Sequence, residues 1–270
     1  MHELNRYDLY ELAAQMPDMQ ARFLHAVHGR APAVLAEDFS GPSGIARAWL
    51  AMAPFHRAIC TDRDPDPIEH AQRRLAEQLD EDPHSRATWC VCDVLEAGGR
   101  ADVIAALNFA VCELHDRSRL LTYLRHSLLR LEADGVFIAD VYAGPDALLT
   151  GRYTQTIDTE QGEVLYEWEQ IEADPLTARV RNAMHFRLPD GRELPSAFEY
   201  DWRLWSIPEL RDSLREAGFA RTEVYTRLGD AMDDDGRLLV SPDSVDGQRT
   251  DAPDDLDDDE PFVAYVVGRS

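Results

Sequence analysis

The stretch Ala33–Ala46, reading Ala-Val-Leu-Ala-Glu-Asp-Phe-Ser-Gly-Pro-Ser-Gly-Ile-Ala, constrains the fold more than any other part of the chain. Val34 and Leu35 read as the end of a buried strand, Glu37 stands at its carboxyl end, and a Gly/Pro/Ser turn follows. Ile45, Ala48, Trp49 and Met52 then recur at helical spacing. A strand turning tightly into a helix leaves backbone N–H groups and a carboxylate facing a crevice, which is where open α/β sheets bind ligands. The turn lacks the Gly-x-Gly-x-x-Gly fingerprint of dinucleotide sites: Phe39 stands at the first glycine, and Ser43 follows Gly41 at the next. Glu37 repels a phosphate at this helix N-terminus and favours a ligand with a cationic end.

Further strands and helices alternate after it. A strand from Arg57 to Thr61 ends at Asp62-Arg63-Asp64-Pro65, where Asp64 suits an N-cap and Pro65 a first helical turn. Ile68, Ala71, Leu75 and Leu79 form the buried stripe of the next helix. A strand from Thr88 to Cys92 closes on Asp93, and one from Asp102 to Leu107 ends at Asn108-Phe109. A helix from near Asp116 buries Leu120, Leu121, Leu124 and Leu128; Ala-Asp-Gly (133–135) then turns the chain into a strand over Val136–Ala139, followed by Asp140-Val141-Tyr142. This alternation predicts parallel βαβ units. Ahead of it, residues 3–28 read as two short helices broken at Pro17-Asp18, a cap over 1–30 in which Tyr7 and Tyr10 serve packing more readily than substrate contact.

After Gly151 the period changes from helical to alternating. Val164, Tyr166 and Trp168, then Val180 to Leu188, then Phe198 to Leu204 predict three antiparallel strands with one aromatic face, joined in part by Asp190-Gly191. Ser206-Ile-Pro-Glu209 is a capping box; its helix stops at Gly218, and Phe219–Thr226 and Phe262–Val267 read as closing strands. Residues 229–261, rich in Asp, Gly, Ser and Pro, predict a mobile acidic loop. The expected organisation is a core over 31–150 and 206–270 with an insertion at 151–205. No internal repeat is evident.

Charge narrows the function classes. With 27 basic against 51 acidic residues the net charge is −24, and every basic residue other than histidine is arginine. Such a field opposes nucleic acid and anionic membranes, which need basic patches. Cys60, Cys90, Cys92 and Cys112 fall in or beside buried strands. Cys90 and Cys92 share a strand face, a poor disulfide geometry and too few ligands for zinc, so reduced thiols in a cytoplasmic protein are expected. No apolar run approaches the ~20 residues of a membrane span, and no signal peptide is read.

Three acids and an amide thus stand at the ends of four strands: Glu37, Asp62, Asp93 and Asn108. In these motifs and their order the chain resembles the class I S-adenosylmethionine-dependent methyltransferases. The motif Glu-Asp-Phe-Ser-Gly-Pro-Ser departs from Asp-x-Gly-x-Gly-x-Gly and is similar to the Glu-Asp-Phe-Cys-Gly-Thr variant of a bacterial branch. The resemblance implies a Rossmann-like sheet of seven strands, six parallel and the last antiparallel, with 151–205 as a lid over the substrate side. It also implies S-adenosylmethionine as cofactor and S-adenosylhomocysteine as product. Glu37 with Phe39, Ser40 and Gly41 matches the motif holding the methionine end. Asp62, beside Arg63, matches the acceptor of both ribose hydroxyls; Asp93 and Val94 match the adenine side; Asn108 and Phe109 match the motif that lies beside the transferred methyl group.

Methyl transfer asks the protein to align a nucleophile, exclude water and, for a hydroxyl, remove a proton. Candidate bases are His115, Asp140 and Tyr142, with Glu113 behind them; Tyr142 and His115 are singled out as facing substrate. The Asn/Asp/Ser-Pro-Pro-Tyr/Phe motif of base methylation is absent, Asn108-Phe-Ala-Val standing there. The expected acceptor is therefore a small molecule, methylated on nitrogen or oxygen, with no metal. The rivals are a nicotinamide-dependent oxidoreductase, disfavoured by the missing glycines; a macromolecule methyltransferase, disfavoured by the missing basic stripe; and a non-catalytic nucleoside-binding protein. Oligomeric state is left open.

Overall fold

A computed structural model describes residues 4–79, 82, 84–144, 146–229, 231–233, 237–250 and 262–270. Helices α1 (Arg6–Ala14) and α2 (Pro17–His28) precede a βα series: β1 (Val34–Asp38), α3 (Gly44–Met52), β2 (Arg57–Asp62), α4 (Pro65–Leu79), β3 (Ala87–Val91), β4 (Ala101–Ala106), α5 (Arg117–Arg130) and β5 (Leu131–Ala143). Four long strands follow, β6 (Gly151–Thr159), β7 (Gly162–Asp174), β8 (Arg179–Arg187) and β9 (Glu193–Arg203). Helix α6 (Ile207–Ala217), β10 (Arg221–Tyr225), the two-residue β11 (Ser244–Val245) and β12 (Gln248–Arg249), and β13 (Phe262–Arg269) complete the described elements.

The main sheet has the order β12-β11-β10-β13-β5-β4-β1-β2-β3. Strands β1 to β5 pair in parallel, and β13 runs antiparallel between β5 and β10. These seven strands are the expected mostly parallel sheet with its reversed last strand. Strand order reverses between β1 and β4, so the crevice at their carboxyl ends is the place for a ligand. Apolar clusters cover both faces. Phe23, Leu24, Trp49 and Ile68 pack on one side; Leu120, Leu124, Phe137, Leu210 and Leu214 pack on the other. Among the described residues no helix is long and apolar enough to cross a membrane.

Three expectations need correction. Residues 244–249, part of the expected mobile loop, instead form a hairpin that extends the sheet past β10. Asp246 and Gly247 take left-handed conformations in its turn (φ 49° and 84°), and Asp246 Oδ1 accepts from Thr222 N while Asp243 Oδ2 accepts from Thr226 N. These aspartates satisfy amides at either end of β10, one within it and one just past it, a role that an acidic composition conceals. Earlier in the same loop Met232 forms an antiparallel bridge with Leu238, and residues 230, 234–236 and 251–261 lie outside the described residues.

The insertion has four strands in the order β6-β7-β8-β9, not three. Its extra strand β6 is an edge strand, mostly exposed on both faces, so it shows no alternation to read. Strand β5 runs through Ala-Asp-Gly (133–135), which bulges at Asp134 (φ 61°) and does not interrupt the strand. The aromatic face of the inserted sheet packs on α1 through Leu9, Val164, Tyr166, Met184 and Phe186. Asn5 and Asp8 form a reciprocal capping box at the start of α1, and Pro17 opens α2.

Candidate functional site

A cleft of about 770 Å³ opens at the carboxyl ends of β1 to β4, between the main sheet, α1 and the inserted sheet. Its floor begins at the turn after β1. Phe39 (φ 54°), Gly41 (φ 49°) and Ser43 (φ 53°) are all left-handed. Gly41 is needed for that conformation and not for space, since a Cβ there would meet nothing within 4 Å. Non-glycine residues held this way carry backbone strain that the surroundings must offset. Ser40 N donates to Thr61 O (2.9 Å) and Gly41 N to Asp62 Oδ2 (2.7 Å), folding the turn onto the end of β2.

Asp62 also accepts from Asp64 N through Oδ1 (2.9 Å), which leaves lone pairs on both oxygens for a further ligand. Burial pushes its carboxyl above the ordinary range. Ser40 lines the cleft, is buried, and its Oγ has no partner among the described residues. On the next strand end, Asp93 accepts from Leu95 N (3.0 Å) and pairs with Arg119; Cys92 and Val94 flank it in the wall.

The opposite wall is built on a second strained turn. Asn108 (φ 60°) and Phe109 (φ 61°) follow β4, and both of their amides donate to the carboxylate of Asp140, at 2.9 and 2.6 Å. Asp140, a candidate base, thus holds this turn in shape; burial pushes its carboxyl up to about 7. A 3₁₀ turn, Ala110–Glu113, then brings Glu113 into the cleft wall, where its carboxylate meets Arg63 at 3.0 Å. Burial raises Glu113 as well.

Tyr10 from α1 and Phe198, Tyr200 and Trp202 from β9 close the cleft from above. The rings of Tyr200 and Trp202 lie with centroids 4.6 Å apart, tilted by 32°, and Trp202 meets Phe109 edge-on at 5.6 Å. The roof is tied down by Trp205 Nε1 donating to Val111 O (3.2 Å) and Arg203 Nη1 donating to His115 O (3.0 Å).

The cleft gathers Phe39, Ser40, Gly41, Asp62, Arg63, Asp93, Val94, Asn108 and His115 from the expected set. It does not gather the other three. Glu37 is 3% exposed and turned inward, where Oε2 accepts from Ala46 N (2.7 Å) and caps α3; burial pushes its carboxyl up to about 8. Phe109 stands behind Trp202, and Tyr142 behind Phe109, their rings 6.1 Å apart. His115 keeps its place in the wall, but its Nε2 is held by the carbonyl of Asp201 at 2.6 Å. Of the 151–205 sheet, β9 lines the cleft, from Ser196 to Trp202.

Sequence reading missed Asp38, which is fully buried against Arg130 (2.8 Å) and accepts from Tyr123 (3.0 Å). It missed the roof positions of β9 as well, although the alternation of Phe198, Tyr200 and Trp202 was the signal that places them on one face.

Electrostatically the cleft is acidic. Asp62, Asp64, Asp93, Glu113, Asp116 and Glu199 line it against three arginines, two of which are engaged with Glu113 and Asp93. Such a lining opposes a diphosphate and attracts a cation.

No family model and no curated protein matches the sequence. Solved structures do match in fold. DesVI from Streptomyces venezuelae is 14% identical, with 99% of each chain covered and a TM-score of 0.69. SAM-bound CalS10, an amino pentose methyltransferase from Micromonospora echinaspora, is 13% identical over 100% of both chains (TM-score 0.66). The sugar N-methyltransferase KedS8 from Streptoalloteichus sp ATCC 53650 is 16% identical over 100% of this chain and 94% of that one (TM-score 0.63). The chain has the fold of these methyltransferases.

Proposed function

We propose that this protein is an S-adenosylmethionine-dependent methyltransferase that acts on nitrogen or oxygen of a small-molecule acceptor. The observation that carries the reading is the donor set of the cleft. A partner-poor carboxylate (Asp62) stands beside a strained turn with an orphaned buried hydroxyl (Ser40), at the switch point of the sheet, in an acidic lining. That set fits a nucleoside with a cationic tail: a carboxylate with free lone pairs suits a cis-diol, and negative walls suit ammonium and sulfonium groups. When bound, the cofactor supplies an electrophilic methyl group.

In this reading Asp62 accepts the ribose hydroxyls, Arg63 covers them at the rim, and Asp93 with Val94 borders the adenine. Phe39, Ser40, Gly41 and Asn108 surround the methionine end. Glu37 acts from beneath by capping α3, and Phe109 and Tyr142 act by backing the aromatic roof. The roof and α1 exclude water from the reacting centre and align the acceptor. His115, with Nε2 engaged, has only Nδ1 to offer an acceptor. The acidic rim supports a small acceptor over a nucleic acid, and four free cysteines support a reducing, cytoplasmic setting.

Calorimetry with S-adenosylhomocysteine, followed by transfer of labelled methyl groups to a small-molecule cell extract, tests the proposal. Binding and a labelled low-mass product are expected. No heat with the nucleoside refutes the proposal, and binding without turnover establishes the non-catalytic rival.

A further inference from the structure

We propose that strand β6 is a dimerisation edge, pairing antiparallel with β6 of a second copy of this chain about a two-fold axis at Gln155. The outer strands of an open sheet present unpaired N–H and C=O groups, and folded chains blunt such edges by shortness, proline or irregularity. Three of the four sheet edges among the described residues are blunted in this way. Strands β12 and β3, which end the main sheet, have two and five residues. Strand β9, one edge of the inserted sheet, carries Pro195, the left-handed Ser196 (φ 47°) and a shift of register against β8. Strand β6, the other edge, has none of these devices. Its nine residues, Gly-Arg-Tyr-Thr-Gln-Thr-Ile-Asp-Thr, hold no proline and follow β7 without a break in register. They are rich in residues that favour extended chain, and 151–156 and 158 are exposed.

The order of side chains along β6 selects the occupant. Opposed residues of an antiparallel pair lie on one face of the sheet, so a two-fold pairing that continues the sheet is centred on a residue. Gln155 is the midpoint of β6, and centring there pairs the whole strand. Arg152 then faces the second copy's Asp158, Tyr153 faces its Ile157, and Thr154 faces its Thr156, each contact occurring twice. Opposite charges, an aromatic with a β-branched residue, and two threonines are combinations that stabilise neighbouring strands. Centring on Thr154 sets Arg152 opposite Thr156, and centring on Thr156 sets Asp158 opposite Thr154.

The chain itself leaves a place for that cation. Asp158 stands opposite Glu163 of β7, two like charges across a strand pair, and neither makes an ion pair among the described residues. Such opposition is destabilising. The second copy's Arg152 answers it. This side chain is 60% exposed, and its guanidinium uses two of five N–H donors, on Glu167 (3.0 Å) and Glu169 (2.9 Å). The edge is thus self-complementary in a chain whose net charge of −24 otherwise opposes self-association. No residue of β6 lines the cleft, which meets the inserted sheet at its far edge, β9, so the proposal stands apart from the methyltransferase reading.

Sedimentation equilibrium of the full chain at physiological ionic strength tests it, and twice the chain mass is expected at high micromolar concentration. Asp158→Arg sets two arginines opposite each other twice per dimer while giving Glu163 a partner within the chain. The variant should stay folded by circular dichroism, and its dimer should dissociate about tenfold more readily. A second pair of variants reads the register. Two Gln155→Cys chains meet at the axis, within the Cα separation of a disulfide (about 4.4–6.8 Å), and should cross-link under mild oxidation. Two Asp158→Cys chains place their thiols six residues apart along the strand, about 20 Å, and should not. The wild-type chain with its free cysteines is the control. A monomer at every concentration, a dimer that Asp158→Arg leaves unchanged, or equal cross-linking of the two cysteine variants overturns the proposal. Affinity for S-adenosylhomocysteine should be the same in Asp158→Arg as in wild type; its absence from both refutes the methyltransferase reading and leaves the dimer to the sedimentation data.

Discussion

Asp38→Ala offers the sharpest test of how the turn after β1 is held. Asp38 follows Glu37 on β1, and its carboxylate contacts Arg130 Nη1 at 2.8 and 3.1 Å and Tyr123 Oη at 3.0 Å. Both charges are out of water: the Asp38 side chain is 0% exposed and that of Arg130 6%. Removing the acid strands a guanidinium whose other bond among the described residues is a long one from Nε to Gly99 O (3.5 Å). Breaking a buried pair from one side costs about 3–5 kcal/mol, because the desolvated partner keeps its charge. Against a total stability of roughly 5–15 kcal/mol this is a large fraction.

The double variant Asp38→Leu with Arg130→Met removes both charges, and a buried pair replaced by apolar groups of similar size is often neutral. It should therefore recover most of the loss. Urea denaturation of wild type, single and double variants, with equal slopes, reads both quantities. A single variant within about 1 kcal/mol of wild type, or a double variant no better than the single, refutes the reasoning. The damage should also reach the cleft, since Tyr123 packs edge-on against Phe39 with centroids 5.5 Å apart. Nucleoside binding should weaken in Asp38→Ala and return in the double variant.

Other expectations follow from the same geometry. Asp62→Ala should weaken S-adenosylhomocysteine by about 1.5–3 kcal/mol in calorimetry, the scale of hydrogen bonds to a charged group; unchanged affinity removes Asp62 from the site. Asp140→Ala leaves the amides of Asn108 and Phe109 without their acceptor and should destabilise by about 1–3 kcal/mol, read by thermal unfolding. Asp140→Asn, which keeps one acceptor oxygen, should lose less, and equal losses would contradict the pinning role. Glu37 has a folded pKa of about 8, above its unfolded value of about 4.3. The stability it contributes is thus complete below about pH 4.3 and lost as pH rises through about 8. Glu37→Gln should flatten the decline in unfolding free energy between pH 5.5 and about 8, and an unaltered slope would exclude Glu37 as its source.

Much of the architecture was legible from local pattern. A stripe at every third or fourth residue buries one face of a helix wherever the helix lies, so α4, α5 and α6 could be read from Ile68–Leu79, Leu120–Leu128 and Leu210–Ala217. Residues at strand ends are fixed by the same periodicity, and Asp62, Asp93 and Asn108 met around one cleft for that reason. Strand β6 was invisible because a doubly exposed edge carries no alternation. The hairpin at 244–249 was hidden because its aspartates serve backbone amides of another strand.

What one-dimensional pattern could not decide is which acid turns toward a ligand and which toward the protein. Glu37 and Asp38 are neighbours, yet one caps α3 nine residues on, while the other pairs with Arg130, 92 residues away. Asp140 reads as a candidate base until it is seen holding two strained amides some 30 positions earlier in the chain. The sequence determined the strand–helix order, the acids at the strand ends and the absence of a phosphate cradle, since these depend on spacing alone. Only the tertiary structure assigned each carboxylate its partner, because hydrogen bonds and ion pairs depend on distance in space, and folding brings together residues that the chain holds far apart.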